Sequence, residues 1–168
     1  GQAKKTEAQW GSFSRLLKKL MVQNHLVCMD GATGTSLEQK GVSGEKQWKG
    51  WPAQTYMPEA VREVHEEYIQ SGASIIITNS YASSKHVMPP DTTDDEVIKA
   101  NHLAAQLALE AVGDLKDVFV AGSISNHSPS PPEGVTPNAS TNITELGLWP
   151  PADEEIENYR VQAETLAG

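Results

Sequence analysis

The first place in this chain where chemistry can be done is a carboxylate that ends an apolar run and is followed by small residues. Asp30 closes Leu26-Val27-Cys28-Met29 and opens Gly31-Ala32-Thr33-Gly34-Thr35-Ser36. Two comparable clusters follow, Thr78-Asn79-Ser80-Tyr81 after Ile75-Ile76-Ile77, and Gly122-Ser123-Ile124-Ser125-Asn126 after Val118 to Ala121. Asp30 can accept hydrogen bonds from a ligand ammonium, and the glycines beside it let backbone N–H groups approach a bound anion such as a carboxylate. The same spacing reads equally well as a capped tight turn. As a phosphate cradle it is poor, because the lysine of a P-loop is absent and the glycine spacing is wrong.

Other side chains need weighing in the same way. Tyr81 can stack on or hydrogen-bond a small ligand, and a tyrosine after a strand is also often a core wall with its hydroxyl in solvent. Trp48 and Trp51 lie in a Gly- and Lys-containing loop and can form an aromatic wall for a cationic group, although packing is the commoner use of such residues. Cys28 sits inside an apolar run and reads as a buried structural residue rather than a nucleophile. His65 and His102 fall in helical patterns and His86 and His127 in loops, none with a Cys or carboxylate at metal-ligand spacing. Asn126, Asn138 and Asn142 each begin an N-x-Ser/Thr triplet, which a Ser/Thr-rich loop produces by chance.

These residues must be positioned by regular elements, and the pattern of those elements is repetitive. Residues 1–24 carry Trp10, Phe13, Leu17 and Leu20 at three- and four-residue steps and predict an amphipathic helix. The run to Met29 predicts a buried strand. Pro58-Glu59 opens a helix through Val61, Val64, Tyr68 and Ile69 that stops at Gly72. The three isoleucines predict a parallel strand covered on both faces. Thr93 and Glu96 have capping-box spacing, and Val97, Ala100, Ala104, Leu107 and Ala111 continue that helix to Gly113. A third strand spans Val118 to Ala121. The Pro/Ser-rich stretch 126–152 reads as a long loop, after which Asp153, Glu154 and Glu155 open a last helix with Ile156, Tyr159, Ala163 and Leu166 on one side. Alternating strands and helices indicate α/β architecture with a parallel sheet. In such sheets ligands bind beyond the carboxyl ends of the strands, where the three clusters lie.

Composition narrows the partners. Thirteen Lys and Arg against twenty-two Asp and Glu leave a net charge of −9 over 168 residues, so no broad positive surface exists to hold nucleic acid or an anionic membrane. A single cysteine excludes an internal disulfide framework, and no apolar run approaches the roughly 20 residues of a membrane span. The expected compartment is reducing and cytoplasmic.

Taken in order, the segments resemble the homocysteine S-methyltransferase family, which includes betaine-homocysteine methyltransferase and the homocysteine domain of methionine synthase. The resemblance is carried by Met29-Asp30-Gly31-Ala32-Thr33-Gly34-Thr35-Ser36-Leu37-Glu38, Pro58-Glu59-Ala60-Val61, Val64-His65-Glu66-Glu67-Tyr68, Ser71-Gly72-Ala73 and Thr78-Asn79-Ser80-Tyr81-Ala82-Ser83. Val120-Ala121-Gly122-Ser123-Ile124 and Tyr159-Arg160 with Gln162-Ala163 extend it to nearly all of residues 25–168. It implies a (β/α)8 TIM-barrel fold of which about the first three βα units are present, and transfer of a methyl group from a sulfonium, ammonium or folate donor to the homocysteine sulfur, giving methionine. It further implies that Asp30 holds the homocysteine amino group, that Gly31, Asn79 and Tyr81 line the pocket, and that Trp51 sits near the methyl donor.

The departures are equally informative. The family's zinc ligands are cysteines that follow later strands, and none of those motifs occurs here, so zinc is implied by resemblance while its ligands are not in this chain. The third cluster has Ser125-Asn126 where the family commonly has Gly-Pro. A typical eight-fold barrel needs about 250 residues. The expectation is therefore the N-terminal part of a homocysteine-binding barrel, inactive by itself, with homocysteine and a small methyl donor as partners. The competing expectation is a shortened, non-catalytic homologue serving as an assembly or ligand-binding module, whose exposed sheet edges favour a homo-oligomer.

Overall fold

In the computed structural model, which describes residues 27–44, 51–124 and 150–167 together with Ser14 and Lys46, the sheet is built on the β-branched run Ile75–Ile77, strand β1. It pairs in parallel with β2, Phe119–Ala121, in the register Ile75 to Phe119, Ile76 to Val120 and Ile77 to Ala121. On the other side of β1 the first apolar run makes one parallel bridge, Met29 to Ile75, in place of the predicted strand. The ladder stops there for a chemical reason. Ile75 N donates to Cys28 O at 3.2 Å and Asp30 N to Ile75 O at 2.9 Å, so the next rung would join Ile77 N to Asp30 O. The Asp30 side chain takes that donor instead, through Oδ2 at 2.9 Å.

Helices fill the connections. After the bridge comes α1, Thr33–Gln39, where sequence patterning suggested only a turn. Thr, Gly and Ser are weak helix formers, so nothing in their types announces it. A 3-10 turn at Ala53–Thr55 leads to α2, Pro58–Gln70, which has proline in its first turn and ends where Gly72 takes φ 98°, a conformation that costs little only without a Cβ. Helix α3, Asp94–Val112, carries the predicted capping box, with Glu96 N donating to Thr93 Oγ1 and Thr93 N to Glu96 Oε2. Helix α4, Ala152–Ala167, closes the described chain.

The core sits between the helices and one face of the sheet. Leu37, Val61, Val64 and Leu107 join α1, α2 and α3, and Ala108 and Val112 of α3 cover the fully buried Ile76. Alanine at positions 104 and 108 keeps α3 close to its neighbours. Ile75 and Ile77 are only half-buried, which corrects the expectation of a strand covered on both faces. The described helices pack on one side of β1, and Ile77 faces a cavity. Cys28 is exposed rather than buried, because the edge segment that carries it is not covered by the α2 and α3 core. In α4 only half of the expected apolar stripe faces inward: Tyr159 and Leu166 are half-buried, whereas Ala163 is exposed and Ile156 is 68% exposed, and the fully buried side chain is Gln162. That helix docks on the polar loop after β1, whose Ser80 carbonyl accepts from Gln162 Nε2 at 2.7 Å. Apart from Ser14, the predicted helix over residues 1–24 falls outside the described residues, as do the 126–149 portion of the loop and Trp48.

Candidate functional site

A strand that ends in a carboxylate presents that group at its carboxyl edge, and the three segment ends here converge on one cavity of about 500 Å³. Its walls come from Asp30 to Thr35 and Glu38, from Trp51 to Ala53, from Ile77 to Ser83 without Ser80, and from Ser123. All five residues singled out by sequence, Asp30, Gly31, Trp51, Asn79 and Tyr81, line it. They differ in burial. Asp30 is 6% exposed, while Trp51 and Tyr81 are about half exposed, at 49% and 52%, and so present aromatic surface to the opening.

Asp30 is the chemically distinctive group. Its Oδ2 is occupied by the Ile77 N–H, whereas its buried Oδ1 has no hydrogen-bond partner. Burial pushes its pKa above the ordinary aspartate value, and the Ile77 N–H pulls in the opposite direction more weakly. A buried acceptor without a donor is costly, so this oxygen is suited to a ligand that brings one.

Behind the cavity lies a buried amide network that sequence reasoning did not find. Asn79 Nδ2 donates to Gln54 Oε1 at 2.9 Å. Gln54, fully buried, donates through Nε2 to Ser83 Oγ at 3.1 Å and to Ala100 O at 3.2 Å. Asn101 Nδ2 donates to Ser83 O at 2.7 Å and its Oδ1 accepts from Gln162 Nε2 at 3.2 Å. Thr78 Oγ1 and Ser80 Oγ lie 2.7 Å apart; Ser123 N donates to the former and Ser123 O accepts from the latter, which ties the end of β2 to the end of β1. The helical phase of Gln162, between Tyr159 and Leu166, was a usable signal for its burial. For Gln54, in a short 3-10 turn, a single sequence offers no comparable signal.

Trp51 is held by its neighbours: its N–H donates to Lys46 O at 3.0 Å, and the Lys46 ammonium lies 5.0 Å from the centre of the Tyr56 ring. Among the described residues, no three His, Cys, Asp or Glu side chains gather as a metal site. The ligand-type side chains of the cavity are the carboxylates of Asp30 and Glu38, and Cys28 is not among its walls.

Comparison with known proteins agrees on one family. The family model for homocysteine S-methyltransferase matches residues 27–166. The chain is 39% identical over 61 residues to homocysteine S-methyltransferase YbgG of Bacillus subtilis, covering 35% of this chain and 19% of that protein. It is 31% identical over 119 residues to betaine–homocysteine S-methyltransferase 1 of Xenopus laevis, covering 68% and 29% respectively. The crystal structure of the metallated form of the homocysteine methyltransferase MmuM from Escherichia coli superposes with a TM-score of 0.65 at 21% identity, over 90% of this chain and 54% of that one. The chain thus spans about half the length of that solved structure, and less than a third of each of these two curated relatives is matched.

Proposed function

The chain belongs to the homocysteine S-methyltransferase family, and on that footing we propose that its cavity binds the amino-acid end of homocysteine for transfer of a methyl group to the sulfur. The observation that carries this reading is the unpartnered, buried Oδ1 of Asp30. An ammonium group brings three donors and a positive charge, and so satisfies the orphaned oxygen and compensates the buried carboxylate together. Gly31 and the turn beside it leave backbone unobstructed for the ligand carboxylate, since a Cβ built on Gly31 meets nothing within 4 Å. Trp51 and Tyr81 offer π-faces at the opening to a cationic methyl donor, of the sulfonium or quaternary ammonium class.

The parallel order of first segment, β1 and β2, with helices on one side, supports reading the sheet as the opening part of a (β/α)8 barrel whose mouth is this cavity. Zinc, which the family resemblance implies as the sulfur activator, does not fit the residues described here: two carboxylates without a converging thiolate or imidazole are the wrong donor set. The described residues contribute binding and orientation. Calorimetric titration of the protein with L-homocysteine tests the reading, with saturable binding expected and Asp30→Ala weakening it at least about tenfold. Equal affinity in the variant would remove Asp30 from the site.

A further inference from the structure

Ala100 belongs to the interior of α3, yet its carbonyl oxygen accepts a hydrogen bond from outside the helix, from Gln54 Nε2 at 3.2 Å. A carbonyl can only accept, so the Gln54 amide is constrained to point its NH2 at Ala100 and its Oε1 the other way. Oε1 in turn can only accept, and the group it faces at 2.9 Å is the Asn79 side chain, which must therefore present Nδ2. That fixes which end of the Asn79 amide is the acceptor: Oδ1 is left for the cavity that Asn79 lines, beside the second N–H of Nδ2.

From this succession of forced choices we propose that Gln54 is a positioning residue, which transmits the polarity of a backbone carbonyl in α3 to Asn79 and makes the cavity present an acceptor there. The consequence is specificity. With Asp30 Oδ1 also waiting for a donor, the site selects a ligand that carries an ammonium and rejects the same molecule without it. The inference rests on the reading of the cavity as an amino-acid site, and it adds how the discrimination is set and by which residue. Gln54 touches no ligand: it is absent from the cavity lining and has no exposed surface. Its side chain is fixed at both ends, since Nε2 also reaches Ser83 Oγ at 3.1 Å. A free asparagine amide turns over readily, so without Gln54 the Asn79 group offers donor and acceptor alike.

The experiment compares L-homocysteine with 4-mercaptobutanoate, its analogue lacking only the amino group, by calorimetry. The ratio of the two affinities reads ammonium selection, and melting curves report folding. In Gln54→Met, which keeps length but loses both polar ends, the ratio is expected to fall roughly tenfold while the affinity for 4-mercaptobutanoate stays constant. An unchanged ratio in Gln54→Met, or equal losses for both ligands, overturns the positioning role and leaves the amino-acid site standing. Wild-type protein that binds both ligands equally overturns the amino-acid reading itself. Absence of homocysteine binding in the wild-type protein likewise overturns the amino-acid reading. If Gln54→Met does not fold, hydrogen exchange of the Asn79 side-chain amide in the wild-type protein decides: protection well beyond that of an exposed asparagine supports the relay, and free exchange overturns it.

Discussion

Asp30 Oδ2 accepts the main-chain N–H of Ile77 at 2.9 Å, in the place that the carbonyl of Asp30 would occupy if the parallel ladder continued. One side chain thereby ends the strand pairing, satisfies a buried backbone donor, and keeps its second oxygen buried without a partner at the cavity wall.

Those two duties separate by mutation. Asp30→Asn keeps a carbonyl oxygen for the Ile77 N–H and removes the charge, whereas Asp30→Ala removes both. We expect urea unfolding to show Asp30→Ala destabilised by about 1–3 kcal/mol and Asp30→Asn by less, while both lose homocysteine affinity. Equal stability losses in the two variants would show that the Ile77 bond contributes nothing.

Binding should also depend on pH in a defined direction. Burial raises the Asp30 pKa, so the carboxylate is protonated, and its attraction for an ammonium lost, at a higher pH than an exposed aspartate would require. Affinity for homocysteine is expected to be level near neutral pH and to fall by about tenfold per pH unit once pH drops below that raised pKa. Titrations at successive pH values check this, and in Asp30→Asn the profile should be flat over the same range.

His65 governs stability rather than binding. It is fully buried in α2, and neither ring nitrogen has a hydrogen-bond partner. Burial lowers its pKa from 6.5 to about 4. Below pH 6.5 the unfolded chain takes up a proton that the folded protein resists until about pH 4, so stability is complete above the first value and drains away as pH falls toward the second. The loss amounts to about 3 kcal/mol for this one group. Urea midpoints for the wild type and His65→Leu, measured from pH 7 to pH 4, should diverge in that window, and parallel curves would remove His65 from the acid sensitivity.

Much of the architecture was legible in residue types. The isoleucine run, Pro58, Gly72, and the Thr93 and Glu96 pair each carry a local preference strong enough to define an element or its end, and each does so in the structure. Helix α1 was not legible, because Thr33 to Ser36 have weak helical preference and are held by what packs on Leu37. The exposure of Cys28 was misread for a related reason: an apolar run states that burial is available, and only the arrangement of helices states which strands receive it.

For the site, local sequence determined which groups end each strand, since a carboxylate, an amide or a tyrosine after a β-branched run needs only the strand itself to be presented at its edge. Asp30, Asn79 and Tyr81 are singled out in that way, and all three line the cavity. What the tertiary structure alone decided is their orientation and partners: that Gln54 sits behind Asn79, that Gln162 of α4 reaches the Ser80 carbonyl, and that Asp30 spends one oxygen on Ile77. Hydrogen bonds between residues 25, 82 and 47 positions apart in the chain depend on how helices dock, and no local preference encodes that.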